Sequence, residues 1–177
     1  NKVPFQSHII CLYFMDLKID KKITLIKKRL NQSLPGWDSQ KKMAVMPINP
    51  VTRLAFIPPA DARLAAVAII LFQEDNKLKF FLTRRTSNVD HHKGQISLPG
   101  GAKDEGESFE DASLRESEEE IGVNVDLDLL GGLTPLYAPV SRFLIHSYIW
   151  YAKERPNTII NEDEVESMHD VDLDEFI

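Results

Sequence analysis

LPGGAKDEGESFEDASLRESEEEIGV, residues 98–123, sets nine acidic residues against only Lys103 and Arg115. Ser108 suits a helix N-cap, because its hydroxyl can accept from the first unpaired amides, and Gly122 stands where a left-handed residue ends a helix. The spacing predicts a helix from Ser108 to about Ile121. An advance of about 100° per residue stacks Glu116, Glu119 and Glu120 on one face, with Leu114 and Ile121 roughly opposite. Phe109 and Ala112 lie nearer the carboxylate side one turn earlier, so more than one flank of the helix is expected to be covered.

Like charges at this spacing cost an exposed helix about 0.2–0.5 kcal/mol per pair, and more on a partly buried face. Arg115 can answer Glu119 or Asp111 but cannot neutralise three carboxylates. Two readings stand on the residues alone. One is a solvated acidic face, which is common; the other is a site for a hard divalent ion, which takes oxygen ligands and needs no His or Cys.

The flanking sequence supplies strands. LAAVAIILFQ (64–73) and LKFFLTRR (78–85) are β-rich runs around the polar EDNK, the pattern of a hairpin with a four-residue turn. LDLLGGLTPL (127–136) and FLIHSYIWYAKE (143–154) read as two more strands, and DVDLDEFI as the opening of a helix capped by Asp170 or Asp172. Upstream, Ile19, Ile23, Ile26 and Leu30 recur at helical spacing from Asp16 to the LPG at 34–36. Residues 37–60, with Pro47, Pro50, Pro58 and Pro59, read as an extended connector wrapping the domain. Strands, one long helix, further strands and a final helix give an α/β or α+β fold with helices packed on a mixed sheet.

Composition excludes several classes. The 177 residues suffice for one domain, 43% apolar and 27% charged. A net charge of -6 without a basic stripe argues against a nucleic-acid partner but leaves a nucleotide substrate open. A single cysteine, Cys11, rules out a disulfide framework and fits a reducing compartment. Residues 64–72 form one of the longest apolar runs, too short to cross a bilayer, so no membrane partner is expected. The first fourteen residues lack the pattern of a signal peptide, and Met15 is read as the natural start. A cytoplasmic location follows as the expectation.

Gly101, Glu107, Arg115, Glu116, Glu119, Glu120, Gly122 and Val123 fill the eight fixed positions of a known pattern, and the stretch resembles the Nudix box of the Nudix hydrolases. Ser117 departs from it, standing where an apolar or small residue is usual. The resemblance implies a Nudix-type α/β/α sandwich with a mixed β-sheet over residues 61–177. Residues 1–60 would be an N-terminal extension, helix and connector packing on that domain, and the abrupt end at DVDLDEFI reads as a truncation. It further implies a Mg²⁺ or Mn²⁺ ion held by Glu116 and Glu120, with Glu119 assisting and the Gly101 carbonyl as a further candidate ligand. Glu107 and Arg115 would be supporting residues that orient the loop and the helix.

FLTRRTSNVDHHKGQISLPGG (81–101) resembles the signature of the coenzyme A pyrophosphatase branch at Leu82, Thr83, Arg85, Gly94, Pro99, Gly100 and Gly101. Thr86 replaces a Ser, Leu98 a Phe, and Asp90 the branch's second Arg. The segment 136–150 also looks like the one that follows the box in this branch. The implied reaction is water attack on the diphosphate of CoA or an acyl-CoA, giving 3',5'-ADP and the corresponding 4'-phosphopantetheine. Arg85, Lys93 and Arg142 are the candidates to contact substrate phosphates, with His91 and His92 beside Lys93. Arg84 is expected to be solvated and His146 packed. The catalytic base is sought in NEDEVE (161–166), Glu164 first and Glu162 second, against the alternative of a solvated acidic loop. The alternatives are a Nudix hydrolase of ADP-ribose, NADH or a nucleoside triphosphate, and a Nudix module that only binds or regulates. The intact carboxylate set argues against the last. The oligomeric state, monomer or homodimer, stays open.

Overall fold

The computed structural model of the chain describes residues 17–42, 57–86 and 94–176. Cys11, Met15, Pro47, Pro50, Asp90, His91, His92 and Lys93 lie outside the described residues. The hairpin forms from β1 (Arg63–Glu74) and β2 (Lys77–Arg85), but its turn is tighter than expected. Glu74 pairs directly with Lys77, leaving a two-residue loop in which Asp75 and Asn76 have φ of 50° and 60°. Asp and Asn tolerate this left-handed geometry, whose twist matches that of the strands.

The hairpin arms diverge beyond Leu71, and a short segment is wedged between them. β3 (Ile96–Ser97) pairs with Thr83 and Arg84 of β2, and β4 (Gly100–Ala102) pairs with Ala65, Ala66 and Val67 of β1. Between the two, the Pro99 carbonyl accepts from the Ala68 amide at 2.9 Å. The Pro-Gly-Gly run is therefore built into the sheet immediately before the acidic helix, α3 (Phe109–Ile121).

The other edge of β1 pairs in parallel with β7 (Phe143–Ala152) from Arg63 opposite Phe143 to Phe72 opposite Ala152. β7 also carries β5 (Asp128–Gly132) and β6 (Leu136–Ala138) antiparallel. These two replace the single strand expected over 127–136, because the ladder along β7 is interrupted at residues 133–135, where Pro135 has no amide to give it. β8 (Val165–Asp172), not anticipated, completes the sheet antiparallel to β2. The strand overlaps the acidic loop expected at 161–166 and the helix start expected at 170–177; only the four-residue α4 (Leu173–Phe176) is helical, with the Asp172 carboxylate accepting from the Asp174 amide.

Strand alternation divides the core in two. Ala68, Ile70, Phe72, Phe81, Trp150 and Ala152 face α3, where Ile121 and Val123 join them. Leu71, Leu78, Phe80, Leu130 and Tyr151 face the opposite way, against Ile19, Ile23, Ile26 and Leu30 of α1 (Ile19–Leu30). A short helix, α2 (Trp37–Gln40), follows α1. The result is helix, sheet, helix. Fully burying Phe72 or Phe81 contributes about 1.5–3 kcal/mol each, and their rings lie 4.5 Å apart. No helix among the described residues is long and apolar enough to cross a membrane.

Candidate active site

α3 starts and stops as its sequence dictates. The Ser108 hydroxyl accepts from the Asp111 amide at 3.0 Å, and Gly122 ends the helix at φ 68°. The buried face is lined by small residues, Ala112, Ser113 and Ser117, so the helix lies close on β1 and β4. Each buried hydroxyl is paired: Ser117 donates to the Ser113 carbonyl and Ser113 to that of Glu110, both at 2.7 Å, while the Trp150 indole donates to Ser113 Oγ. Ser117, the departure from the box, thus fits as a small residue whose one polar atom is satisfied.

The three carboxylates expected on one face are divided by depth. Glu120 is 2% exposed and Glu116 half-buried, whereas the Glu119 side chain is 54% exposed on the rim. Glu120 accepts from the Gly100 amide at 3.1 Å and from Arg85 Nη1 at 3.2 Å. Burial nevertheless pushes its carboxyl up to about 7, opposed by the Gly100 amide and Arg85 and reinforced by the negative charges of Glu116 and Glu164. Burial likewise raises Glu116, with Arg115 opposing and Glu119 and Glu164 adding to the rise. Glu116 lies directly against Gly101: a Cβ there would fall on its carboxylate, 2.7 Å from Oε1.

Arg115 uses all five of its N–H donors. Nε and Nη2 grip the two Glu107 oxygens at 3.1 and 2.9 Å, Nη1 serves Glu116 at 2.9 Å and Glu119 at 3.0 Å, and Nη2 also reaches the Ala102 carbonyl at 3.0 Å. Glu107 in turn accepts from the Asp104 amide, and these bonds hold its carboxyl below the usual range, Arg115 first. The pair staples the 103–108 loop to the helix and to β4. Lysine has three donors and no fork, so Arg115→Lys is expected to lose about 1–2 kcal/mol, read by urea unfolding. A loss below a few tenths would mean that solvent replaces the network.

The other expected residues sort clearly. Arg85 points to the α3 face and meets Glu120; Arg84 pairs with Glu166 at 3.3 Å, both about half exposed. Arg142 pairs with Asp61 at 2.9 Å and contacts none of these carboxylates through any ion pair. His146 stacks on Phe109 with ring centroids 3.7 Å apart. Glu164 is half-buried and close enough to add to the field on Glu116 and Glu120, while Glu162 is exposed.

Three features were not anticipated: the Gly100 amide on Glu120, Thr86, and Asn161. Residues 159–164 cross the C-terminal end of α3, with the Ile159 amide on the Ile121 carbonyl and the Asn161 amide on that of Glu120, both at 2.9 Å. The same segment is tied to the end of β2 by Thr86, whose amide donates to the Glu164 carbonyl at 2.9 Å and whose hydroxyl donates to that of Asp163 at 3.1 Å. The run Asn-Glu-Asp was a turn signal that sequence reasoning did not use.

A divalent ion fits the chemistry of this donor set. Five carboxylates, Glu107, Glu116, Glu119, Glu120 and Glu164, stand against Arg85 and Arg115, and burial has raised the two deepest. Hard oxygen donors with excess negative charge suit Mg²⁺ or Mn²⁺. In their present placements the carboxylates engage arginines and an amide, and among the described residues no three such groups stand close enough together to enclose an ion.

The chain is 30% identical over 142 residues to Nudix hydrolase 3 of Caenorhabditis elegans, covering 77% of this chain and 58% of that protein. It is 32% identical over 117 residues to the peroxisomal coenzyme A diphosphatase ndx-8 of the same organism, covering 64% of this chain and 50% of the other. The chain thus spans about half the length of these relatives. Among solved structures, the Nudix hydrolase RenU of M. smegmatis superposes with a TM-score of 0.54 at 22% identity, over 64% of this chain and 73% of that one, a likeness of fold. The NUDIX domain family model matches residues 62–176, a span that begins at β1 and runs through α3 to the last described residue. With that match over well over half of its length, the chain belongs to the Nudix family.

Proposed function

We propose that the chain is a metal-dependent pyrophosphohydrolase that cleaves CoA or an acyl-CoA to 3',5'-ADP and the corresponding 4'-phosphopantetheine. The observation that carries the reading is half-buried Glu116 and buried Glu120 side by side at the Pro-Gly-Gly strand, with Glu164 near enough to raise both carboxyls. Glu116 and Glu120 are the proposed holders of a Mg²⁺ or Mn²⁺ ion, with Glu119 and the Gly101 carbonyl as further candidates. When bound, the ion supplies charge neutralisation on the phosphoryl oxygens and acidifies the attacking water. Glu164 is the proposed acceptor of that water's proton, held at the site's margin by the segment over α3. Glu107 and Arg115 fix the loop and helix geometry without touching the reacting atoms. Arg85, drawn into the site by Glu120, is the proposed phosphate contact, and Lys93 and Arg142 are further candidates.

Two observations favour CoA: the 81–101 run with its branch motif, and the similarity to a coenzyme A diphosphatase. Asp90, in place of the branch's second Arg, favours the second reading, a Nudix hydrolase of ADP-ribose, NADH or a nucleoside triphosphate. Product analysis on CoA, acyl-CoA, ADP-ribose, NADH and dNTPs with Mg²⁺ or Mn²⁺ separates the two. The first predicts 3',5'-ADP from CoA with kcat/KM about tenfold or more above the other substrates. A preference for ADP-ribose overturns it and leaves the diphosphatase chemistry intact.

A further inference from the structure

The segment that carries Glu164 has a device of its own. Asn161 is the residue through which it is fixed: its amide donates to the Glu120 carbonyl at 2.9 Å, and its own carbonyl accepts from the amides of Glu164 at 3.0 Å and Val165 at 2.8 Å. These bonds form a tight turn rooted on the last turn of α3. Its side chain adds two more contacts inside the turn, Oδ1 accepting from the Asp163 amide at 3.2 Å and Nδ2 donating to Glu164 Oε1 at 3.4 Å. One amide side chain therefore touches both the turn backbone and the carboxylate that the turn presents. Thr86 clamps the same turn from the side of β2. Gly122 leaves room for it, since a Cβ there would meet the Ile159 carbonyl oxygen at 2.8 Å and its amide nitrogen at 2.9 Å.

We propose that Asn161 is a positioning residue of the active site, which acts on the reaction only by aiming the Glu164 carboxylate. The inference rests on the reading of Glu164 as proton acceptor. Backbone bonds hold the turn in place, so the side chain is free to set the direction of the carboxylate. Removing it should leave the turn in position and let Glu164 swing, and a misaimed base costs turnover rather than binding.

A double-mutant cycle of Asn161→Ala and Glu164→Gln tests this. Asn161→Ala alone is expected to lower kcat about 10- to 100-fold with KM changed by less than about threefold. In the Glu164→Gln background it should change kcat by less than about twofold, because the group it aims is already disabled. Mn²⁺ affinity, read by electron paramagnetic resonance, should move by less than about threefold, since the side chain touches neither Glu116 nor Glu120. A purely structural role gives additive losses and weakened Mn²⁺ binding, and either overturns the proposal. Wild-type turnover in Glu164→Gln would remove both the proposal and the assignment of Glu164; a slow Glu164→Gln with additive effects removes the proposal alone.

Discussion

Glu120→Gln is expected to lower kcat by about three orders of magnitude and, in metal-free protein, to gain stability relative to wild type as pH rises from 4.5 to 8. The two effects share one cause. Glu120 is the most deeply buried carboxylate of the site, and its carboxyl is raised from 4.5 to about 7 although Arg85 and the Gly100 amide favour its charge. A carboxyl raised in the folded state costs nothing below pH 4.5, where folded and unfolded chains are both protonated. The cost grows between 4.5 and about 7 and is complete above, where folding must bury a charge that the unfolded chain keeps in water. It is on the order of 3 kcal/mol. Glutamine removes the charge but sets an NH2 donor against either Arg85 Nη1 or the Gly100 amide, a cost of about 1–3 kcal/mol that does not vary with pH. Urea unfolding with chelator present should therefore show the variant's stability relative to wild type rise between pH 4.5 and pH 8. A kcat within tenfold of wild type, or a stability difference that stays constant between pH 4.5 and pH 8, would contradict the assignment.

Gly101→Ala should separate activity from stability in another way. Gly101 sits in β4 with its α-carbon against the end of the Glu116 side chain, so an added methyl displaces a flexible carboxylate and not backbone. Stability should change by less than about 1 kcal/mol, while kcat falls about 100-fold because Glu116 is pushed from its place. Gly100→Ala is the contrasting control. That residue has φ 151°, and its Cβ would lie 2.6 Å from Val67 Cα on the neighbouring strand, with the Ala66 carbonyl closer still. Here backbone must move, and a loss of about 3 kcal/mol or more is expected. Circular dichroism melts and steady-state kinetics on both variants check the pair. Equal loss of stability at both positions would contradict the account.

Local features were legible in the sequence because local chemistry builds them. The Ser108 cap, the Gly122 stop, the helical face of Ile19, Ile23, Ile26 and Leu30, the β-rich run of β1 and the alternating run of β7 were all readable from neighbouring residues. The split of Arg84 and Arg85 to opposite faces followed from strand alternation. β8 was not legible, since Val165, Met168 and Val171 are diluted by Glu166, His169 and Asp170 and the strand is secured by its pairing with β2, some 85 residues away. The same applies to the site. Helical spacing put Glu116, Glu119 and Glu120 together, yet only the neighbouring strands decide that Glu120 is buried and Glu119 is not. Asn161 and Thr86 act through backbone partners remote in sequence, which no spacing rule reaches.

Whether Glu116 and Glu120 hold a divalent ion, as proposed, is tested most directly by Mn²⁺ binding, which needs no substrate. Electron paramagnetic resonance of free Mn²⁺ during titration at pH 8 should reveal a site in the wild-type chain whose affinity falls at least about tenfold in both Glu116→Gln and Glu120→Gln. Unchanged Mn²⁺ affinity in the two folded variants would contradict that assignment.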